Sequence, residues 1–436
     1  MIYYIIFTDR LIKWMFPMEE KVIFRRKMII LICGVVLFFF TSMSKMLIPG
    51  AVFADLQKDL HFSAAELGAI GAAFMYAYAF SQLAIGIFSD RYGGVRLLVL
   101  GCGAFTLGTF LSVMVSSPVL MGIFRVLTAL GAGVTFLGVA KLASDLFPKS
   151  FSFALGTVLL IGYLGPVCGI APMVYLISKT SWRIALGIPG VICFLAFIII
   201  LLNMRGTLRP VQKGQTFTPL FTVLRSKEMW YLFGCSAVVF GGYYAMLTLF
   251  GMKCLTDIVH LKTGVASLII SGFATMVAAE ALLLNFLMML VRNRRRVMVF
   301  ASSISFLTGS CLGWAVLQFD LPRLLLVPAL LLFTFPAGFF AIYSTVAKEI
   351  AQGECVGVAI AILNFFAFIA IAASGQITAW LLQYWEAASP MGETGILYPV
   401  AAYRNIFIFL TIIAVLGLLS AFGVPETKDK NAVPQQ

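Results

Sequence analysis

Four ionisable side chains sit inside long apolar runs: Lys45, Arg125, Lys141 and Glu280. A charge at mid-bilayer costs about 2.5–3.5 kcal/mol on insertion scales, so such a residue faces a cavity, a partner or the interface. Lys45 can contact an anionic solute, or snorkel outward. Arg125 lies deeper, and its two readings are a solute contact and a hydrogen-bonded brace on backbone carbonyls. Lys141 has Asp145 one helical turn on, which reads first as a local ion pair. Glu280 is the one carboxylate well inside an apolar run; lining a cavity it could carry a coupling proton, and otherwise it pairs with a cation on a neighbouring helix. Two tyrosine pairs, Tyr76 with Tyr78 and Tyr243 with Tyr244, offer hydroxyl donors to a midplane pocket. One of each pair should face inward, and Tyr76 and Tyr243 are taken as the pocket residues.

The elements that hold these groups follow from composition. Of 436 residues, 61% are hydrophobic and 11% charged, with mean hydropathy +1.01. A soluble domain carries about 25% charged residues, so lipid must be the solvent for much of this chain. Long apolar blocks without alternation disfavour a transmembrane β-barrel, leaving an all-α membrane protein. The formal charge of +13 reflects basic loops, and no nucleic-acid-binding motif accompanies it. Eight cysteines form no CxxC pair, and the two histidines, His61 and His260, lie in polar connections. No metal centre, cofactor site or histidine proton relay is expected.

Crossing the hydrocarbon takes about 20 mostly apolar residues. Twelve such stretches run near 28–49, 65–88, 95–116, 119–143, 151–176, 183–204, 229–252, 264–290, 297–318, 322–347, 355–384 and 403–424. The expected organisation is an N-terminal segment (1–27), a six-helix bundle (28–204), a central loop (205–228), a second bundle (229–424) and a tail (425–436). Alternate connections are richer in Lys and Arg by roughly threefold, which places both termini in the cytoplasm. A weak echo, Val139-Ala140-Lys141 against Val346-Ala347-Lys348, agrees with a duplicated unit. The apolar segment 1–17 is too short to span; it reads as an interfacial helix or as sequence upstream of initiation at Met18, the second being preferred.

The densest local motif is Gly86-Ile-Phe-Ser-Asp90-Arg91-Tyr-Gly93-Gly-Val-Arg96, in the turn after the second span. Glycines allow a tight turn and close helix approach, and Asp90 with the adjoining cations can latch onto a helix end. This loop resembles the signature of the major facilitator superfamily, G-x-x-x-D-R-x-G-x-[RK]-[RK], with Val95 replacing one basic residue. Arg125 followed by Gly131 and Gly133 is similar to the family's fourth-helix motif, as are Trp182-Arg183, Asn364 with Gly375, and Pro425-Glu426-Thr427 to features of its sixth, eleventh and twelfth spans. The loop after the eighth span keeps its cations, Arg292 to Arg296, but lacks the Asp and Gly. In the fifth span, Gly156 to Pro172 partly resembles the motif of proton-coupled antiporters.

The resemblance implies two pseudo-symmetric six-helix bundles with a solute site between them, exposed alternately to each side. It implies a transporter, not an enzyme, with Gly86, Asp90, Arg91, Gly93 and Arg96 as a gating element. Lys45 stands where organic-anion members often place an Arg. With cations outnumbering carboxylates inside the spans, the expectation is uptake of a small organic anion with a proton: Lys45, Tyr76, Arg125 and Tyr243 bind it, and Glu280 and Arg125 couple it. The alternatives are a proton-coupled exporter of drugs or metabolites and a transport-inactive membrane sensor. The expected setting is a plasma membrane, bacterial inner membrane first, with the chain a monomer.

Overall fold

The computed structural model describes residues 18–208, 218–290, 294–351, 355–392 and 395–427. Long helices dominate: α1 (Met18–Leu47), α2 (Ala64–Tyr92), α3 (Gly94–Met114), α4 (Pro118–Leu146), α5 (Phe151–Cys168, carried on as Ala171–Lys179) and α6 (Trp182–Asn203). After the central connection come α7 (Lys227–Asp257), α8 (Thr263–Leu290), α9 (Arg295–Gln318), α10 (Arg323–Ala351), α11 (Val356–Glu386) and α12 (Val400–Phe422). Among the described residues nine helices are long and apolar enough to cross a membrane, ten with α5 and its continuation as one bent span. The other two, α1 and α2, occupy the first two expected stretches. Residues 1–17 and most of the central connection lie outside the described residues.

Helices α1 to α6 pack on one another, α3 on α4 and α1 against α5 and α6, and α7 to α12 do likewise, α9 on α12 and α7 on α11. The two groups meet along α2 with α11 and α5 with α8. Glycine makes the tightest approaches possible: a Cβ on Gly131 would collide with the α3 backbone at Gly101 and Phe105.

Several helices are interrupted, and the reason is local chemistry. In α5 the chain bends 46° between Cys168 and Ala171, where Pro172 and the neighbouring glycine weaken the helical ladder. The rung that would join Ala171 N–H to Val167 C=O is filled by a hydroxyl from α8. Ser271 Oγ accepts from Ala171 N at 2.8 Å and donates to Val167 O at 3.3 Å. In α10 a tighter turn spans Phe335–Phe339. Pro336 there has no N–H to offer Leu332 C=O, and Ser305 Oγ of α9 donates to that carbonyl instead, at 2.9 Å. Helix α7 widens into a π turn at Met246–Phe250, where Thr248 Oγ1 donates to Tyr244 O at 2.7 Å. The Gly and Pro content of the fifth span predicts a bend there; the interruptions of α7 and α10 have no such expectation behind them, and at each break a side-chain hydroxyl completes the backbone bonding.

At the end opposite the termini, elements not expected from sequence close the molecule. A short helix (Phe53–Asp59) follows α1, and a small hairpin pairs Met391 with Ile396 between α11 and α12. Lys253, expected in a polar connection, is 2% exposed and donates to Asp257 Oδ1 (2.9 Å) and Ile396 O (2.7 Å). Asp257 Oδ2 accepts from Tyr403 Oη (2.7 Å) and Tyr398 N (3.1 Å), so the hairpin is pinned to the end of α7. Gln57 then joins the two helix groups, donating to Tyr398 Oη at 2.9 Å and accepting from Ile396 N at 3.3 Å. The first amides of α2 are met from α11: Ala64 N–H by Glu386 and Ala65 N–H by Gln383. These bonds and those of Ser271 cross between the groups, and all of them lie toward this end.

Replacing Ser271 by Ala strands a buried amide and carbonyl in apolar surroundings, a loss of about 1–3 kcal/mol. Ser271→Ala is expected to lower the melting temperature of the detergent-purified protein, with Ser271→Thr retaining most of it. Equal melting of all three would mean that the hydroxyl does not support α5.

Candidate functional site

Helix α1 ends just past Lys45, and its last carbonyls need donors. Arg125, 3% exposed on α4, supplies them. Its Nη1 donates to Ser44 Oγ at 2.8 Å, and its Nη2 to Ser44 O at 3.0 Å and Ile48 O at 3.2 Å. The guanidinium also lies 4.2 Å from the centroid of Phe74. This geometry is that of a backbone brace, with Nε buried and unpartnered. It holds the end of α1, and hence Lys45, in place.

Lys45 is 9% exposed and lies among rings. Its Nζ is 4.1 Å from the centroid of Tyr78 and 5.2 Å from that of Phe368. Those two rings meet edge to face at 4.5 Å, one on α2 and the other on α11. Phe74, one helical turn before Tyr78, stacks on it at 6.3 Å. Among the described residues the Lys45 ammonium makes no hydrogen bond and no ion pair. Lys45 instead borders a cavity of about 20 Å³ whose walls come from α1, α2, α7 and α11. That is room for a water molecule and not for a solute.

The tyrosines divide differently from the sequence expectation. Tyr78, not Tyr76, covers Lys45, and Tyr76 is 37% exposed. Residues two apart on a helix point about 200° apart, so the rotation of α2 decides which ring turns inward. Tyr243 is buried and edge-on to Tyr244 at 5.3 Å. Tyr244 lies within electrostatic reach of Lys45, and Tyr243 within reach of Glu280.

Glu280 is 7% exposed on α8. No side chain hydrogen bonds to either of its oxygens among the described residues. Its carboxylate packs against Gly338, in the tight turn of α10, where a Cβ would collide with it. Lys45 and Arg125 are thus brought together at the end of α1, while Glu280 stands apart on α8.

Of the gating motif, the side chains of Gly86, Asp90 and Arg91 lie outside the described residues. Gly93 adopts φ 76° at the junction of α2 and α3, a conformation that favours glycine. Arg96 borders a cleft with Lys27 and Asp145, and its Nη1 is buried without a hydrogen-bond partner. In the second, degraded loop the cations bind helix ends instead. Arg295 pairs with Glu349 at 2.8 Å and Arg296 donates to Phe422 O at 2.9 Å, at the C-terminus of α12. Among the described residues no cluster of His, Cys, Asp or Glu could hold a metal ion.

Sequence reasoning missed Phe368, Ser271 and Gln57. Each acts on a helix or hairpin far away in the chain, and no local pattern marks them.

Comparison with known proteins gives the same architecture. The gentisate transporter of Corynebacterium glutamicum is 28% identical over 139 residues, 31% of each chain. The 4-hydroxybenzoate transporter of Pseudomonas aeruginosa is 26% identical over 161 residues, 37% of this chain and 36% of its own. Multidrug resistance protein D of Escherichia coli is 27% identical over 131 residues, 30% and 33%. The matched stretch thus spans about a third of the length of each of these relatives. Among solved structures, a bacterial homologue of the human lysosomal transporter Spinster, inward-facing and unoccupied, superposes with TM-score 0.72 at 17% identity, covering 92% of this chain and 98% of that one. The family model described as Major Facilitator Superfamily matches residues 31–254. With two helix groups meeting along α2–α11 and α5–α8 around a buried cation, the chain belongs to the Major Facilitator Superfamily.

Proposed function

We propose that the chain is a secondary active transporter that takes up a small organic anion together with a proton, by alternating exposure of a central site. The observation that carries this reading is the Lys45 ammonium: buried, in no ion pair among the described residues, and bordering the central cavity. Burying a lone charge is costly. Cation–π contact offsets about 2 kcal/mol of that when desolvated, and a solute carboxylate supplies the rest. Arg125 serves as the brace that sets the position of Lys45. Two relatives carry the names of aromatic-acid transporters, which agrees with an anionic solute.

Alternation then has a physical sequence. With Gln57, Gln383, Glu386 and Ser271 bonded across the two groups, the end opposite the termini is shut. Taking that end as extracellular, as the Lys and Arg distribution suggests, solute leaves Lys45 toward the cytoplasm from this arrangement. Reopening outward breaks the cross-group bonds, separates Phe368 from Tyr78 and uncovers the ammonium. Glu280 is the proton carrier in this scheme: neutral when its proton is bound, it packs against Gly338, and when ionised it favours hydration and a looser α8–α10 contact. The setting is a bacterial plasma membrane with both termini cytoplasmic, and the transporter works as a monomer.

A second reading, a proton-coupled exporter, is favoured by the broken fifth helix and by the similarity to multidrug resistance protein D. A transport-inactive sensor would bind solute without moving it, so flux separates these readings.

Lys45→Met keeps the length of the side chain between the two rings and removes the charge. It is expected to weaken anion binding by at least about tenfold in titration calorimetry while melting near the wild type; equal affinity would exclude Lys45 as the anion contact. In proteoliposomes corrected for protein-free leak, Glu280→Gln is expected to retain solute counterflow and to lose proton-driven accumulation. Accumulation undiminished in that variant would remove Glu280 from coupling.

A further inference from the structure

The walls of the central cavity say more about the solute than its sign. We propose that it is a monocarboxylate on a flat, apolar body, of the benzoate type; this rests on the reading of Lys45 as the anion contact.

Three features of the site select that class. The first is charge. Among the described residues, Lys45 is the only charged one bordering the cavity. The nearby Arg125 guanidinium does not line this cavity; three of its five N–H groups are spent on Ser44 and Ile48. A dicarboxylate, or a phosphate carrying close to two charges, would bring one negative charge that nothing on these walls meets.

The second is the scarcity of free hydrogen-bonding groups. The one hydroxyl on the walls, Thr248 Oγ1, is committed to Tyr244 O at 2.7 Å. Most of the remaining surface is aliphatic or glycine, Met75, Ile371 and Gly375 among it. The several hydroxyls of a sugar acid would outnumber the partners these walls provide, so polyols are disfavoured by the same rule that disfavours a second charge.

The third is shape. Helices α2 and α11 touch so closely that a Cβ on Gly68 would collide with Ala379, and α2 lies as close to the chain after α1, where one on Gly71 would be 2.8 Å from Pro49 Cδ. At Gly375 there is open space, with nothing within 4 Å of a Cβ. A solute therefore enters by parting two closely apposed helices beside one open face, and a planar body needs the least separation. Tyr78 and Phe368, which cover the ammonium from the two sides of that seam, then present ring faces and edges to it. Phe368 becomes the specificity-determining side chain: it must move off Lys45 for the carboxylate to arrive, and it repacks on the body that follows.

The test is equilibrium binding to the purified full chain, using five probes: benzoate, cyclohexanecarboxylate, terephthalate, glucuronate and inorganic phosphate. Benzoate should bind at least about tenfold more tightly than terephthalate, glucuronate or phosphate. Its advantage over cyclohexanecarboxylate should shrink in Phe368→Leu, and all carboxylate binding should fall in Lys45→Met. If terephthalate or glucuronate matches benzoate and both depend on Lys45, the monocarboxylate class is overturned while the anion reading stands. Binding that ignores Lys45→Met, or binding of none of the five, overturns both. An unchanged benzoate preference in Phe368→Leu removes Phe368 as the selector.

Discussion

In hydrocarbon no water is at hand to satisfy a backbone amide or carbonyl, so every helix break or helix end has to find a partner within the protein. Most features of this structure trace to that constraint. The missing rung of α5 is filled by Ser271, the carbonyl freed by Pro336 in α10 by Ser305, and the end of α1 by Arg125. Of these breaks, the one in α5 lies where the two groups meet, and the one in α10 lies within the second group. Ser271 is the informative case, since a residue of the second group completes a helix of the first. Separation of the groups at that level must therefore leave a backbone pair exposed or rehydrated.

The same constraint sorts the buried polar residues by role. A cation whose terminal nitrogens are spent on a helix end is part of the frame, and Arg125, bonded to the hydroxyl and carbonyl of Ser44 and to the carbonyl of Ile48, belongs there. The buried pair Lys253 and Asp257 is also structural, because each partner is met by the other and by the hairpin. Lys45 differs from both. Its neighbours are ring faces, which stabilise a cation without consuming its hydrogen-bonding capacity, and it borders the space between the groups. A cation held in this manner can exchange one set of contacts for another, which a solute site requires.

How much of this was legible in the sequence follows from the range over which each interaction acts. The spans were readable because apolar length is a local property, and the break-prone fifth span announced itself through Gly165, Gly169 and Pro172. Lys45, Arg125 and Glu280 stood out because a charge in an apolar run is conspicuous. Their partners did not. Whether Tyr76 or Tyr78 turns to Lys45 depends on helix rotation, which two apolar helices of low amphipathicity leave undetermined. Ser271 and Gln57 are ordinary polar residues until the helices they bridge, 100 and 339 residues away in the chain, are brought alongside. Lys253 reads as a loop cation because nothing nearby in sequence reveals the hairpin that buries it.

The central claim is that the solute's negative charge rests on the Lys45 ammonium. The most direct measurement is the nitrogen-15 resonance of the lysine ammonium groups in the full-length protein, with the Lys45 signal identified by its absence in Lys45→Met. Saturation with benzoate is expected to move that signal, as ring contacts give way to a charged hydrogen bond, and to leave the other lysines in place. A Lys45 signal unmoved while benzoate demonstrably binds would contradict the account, because the anion would then be held elsewhere.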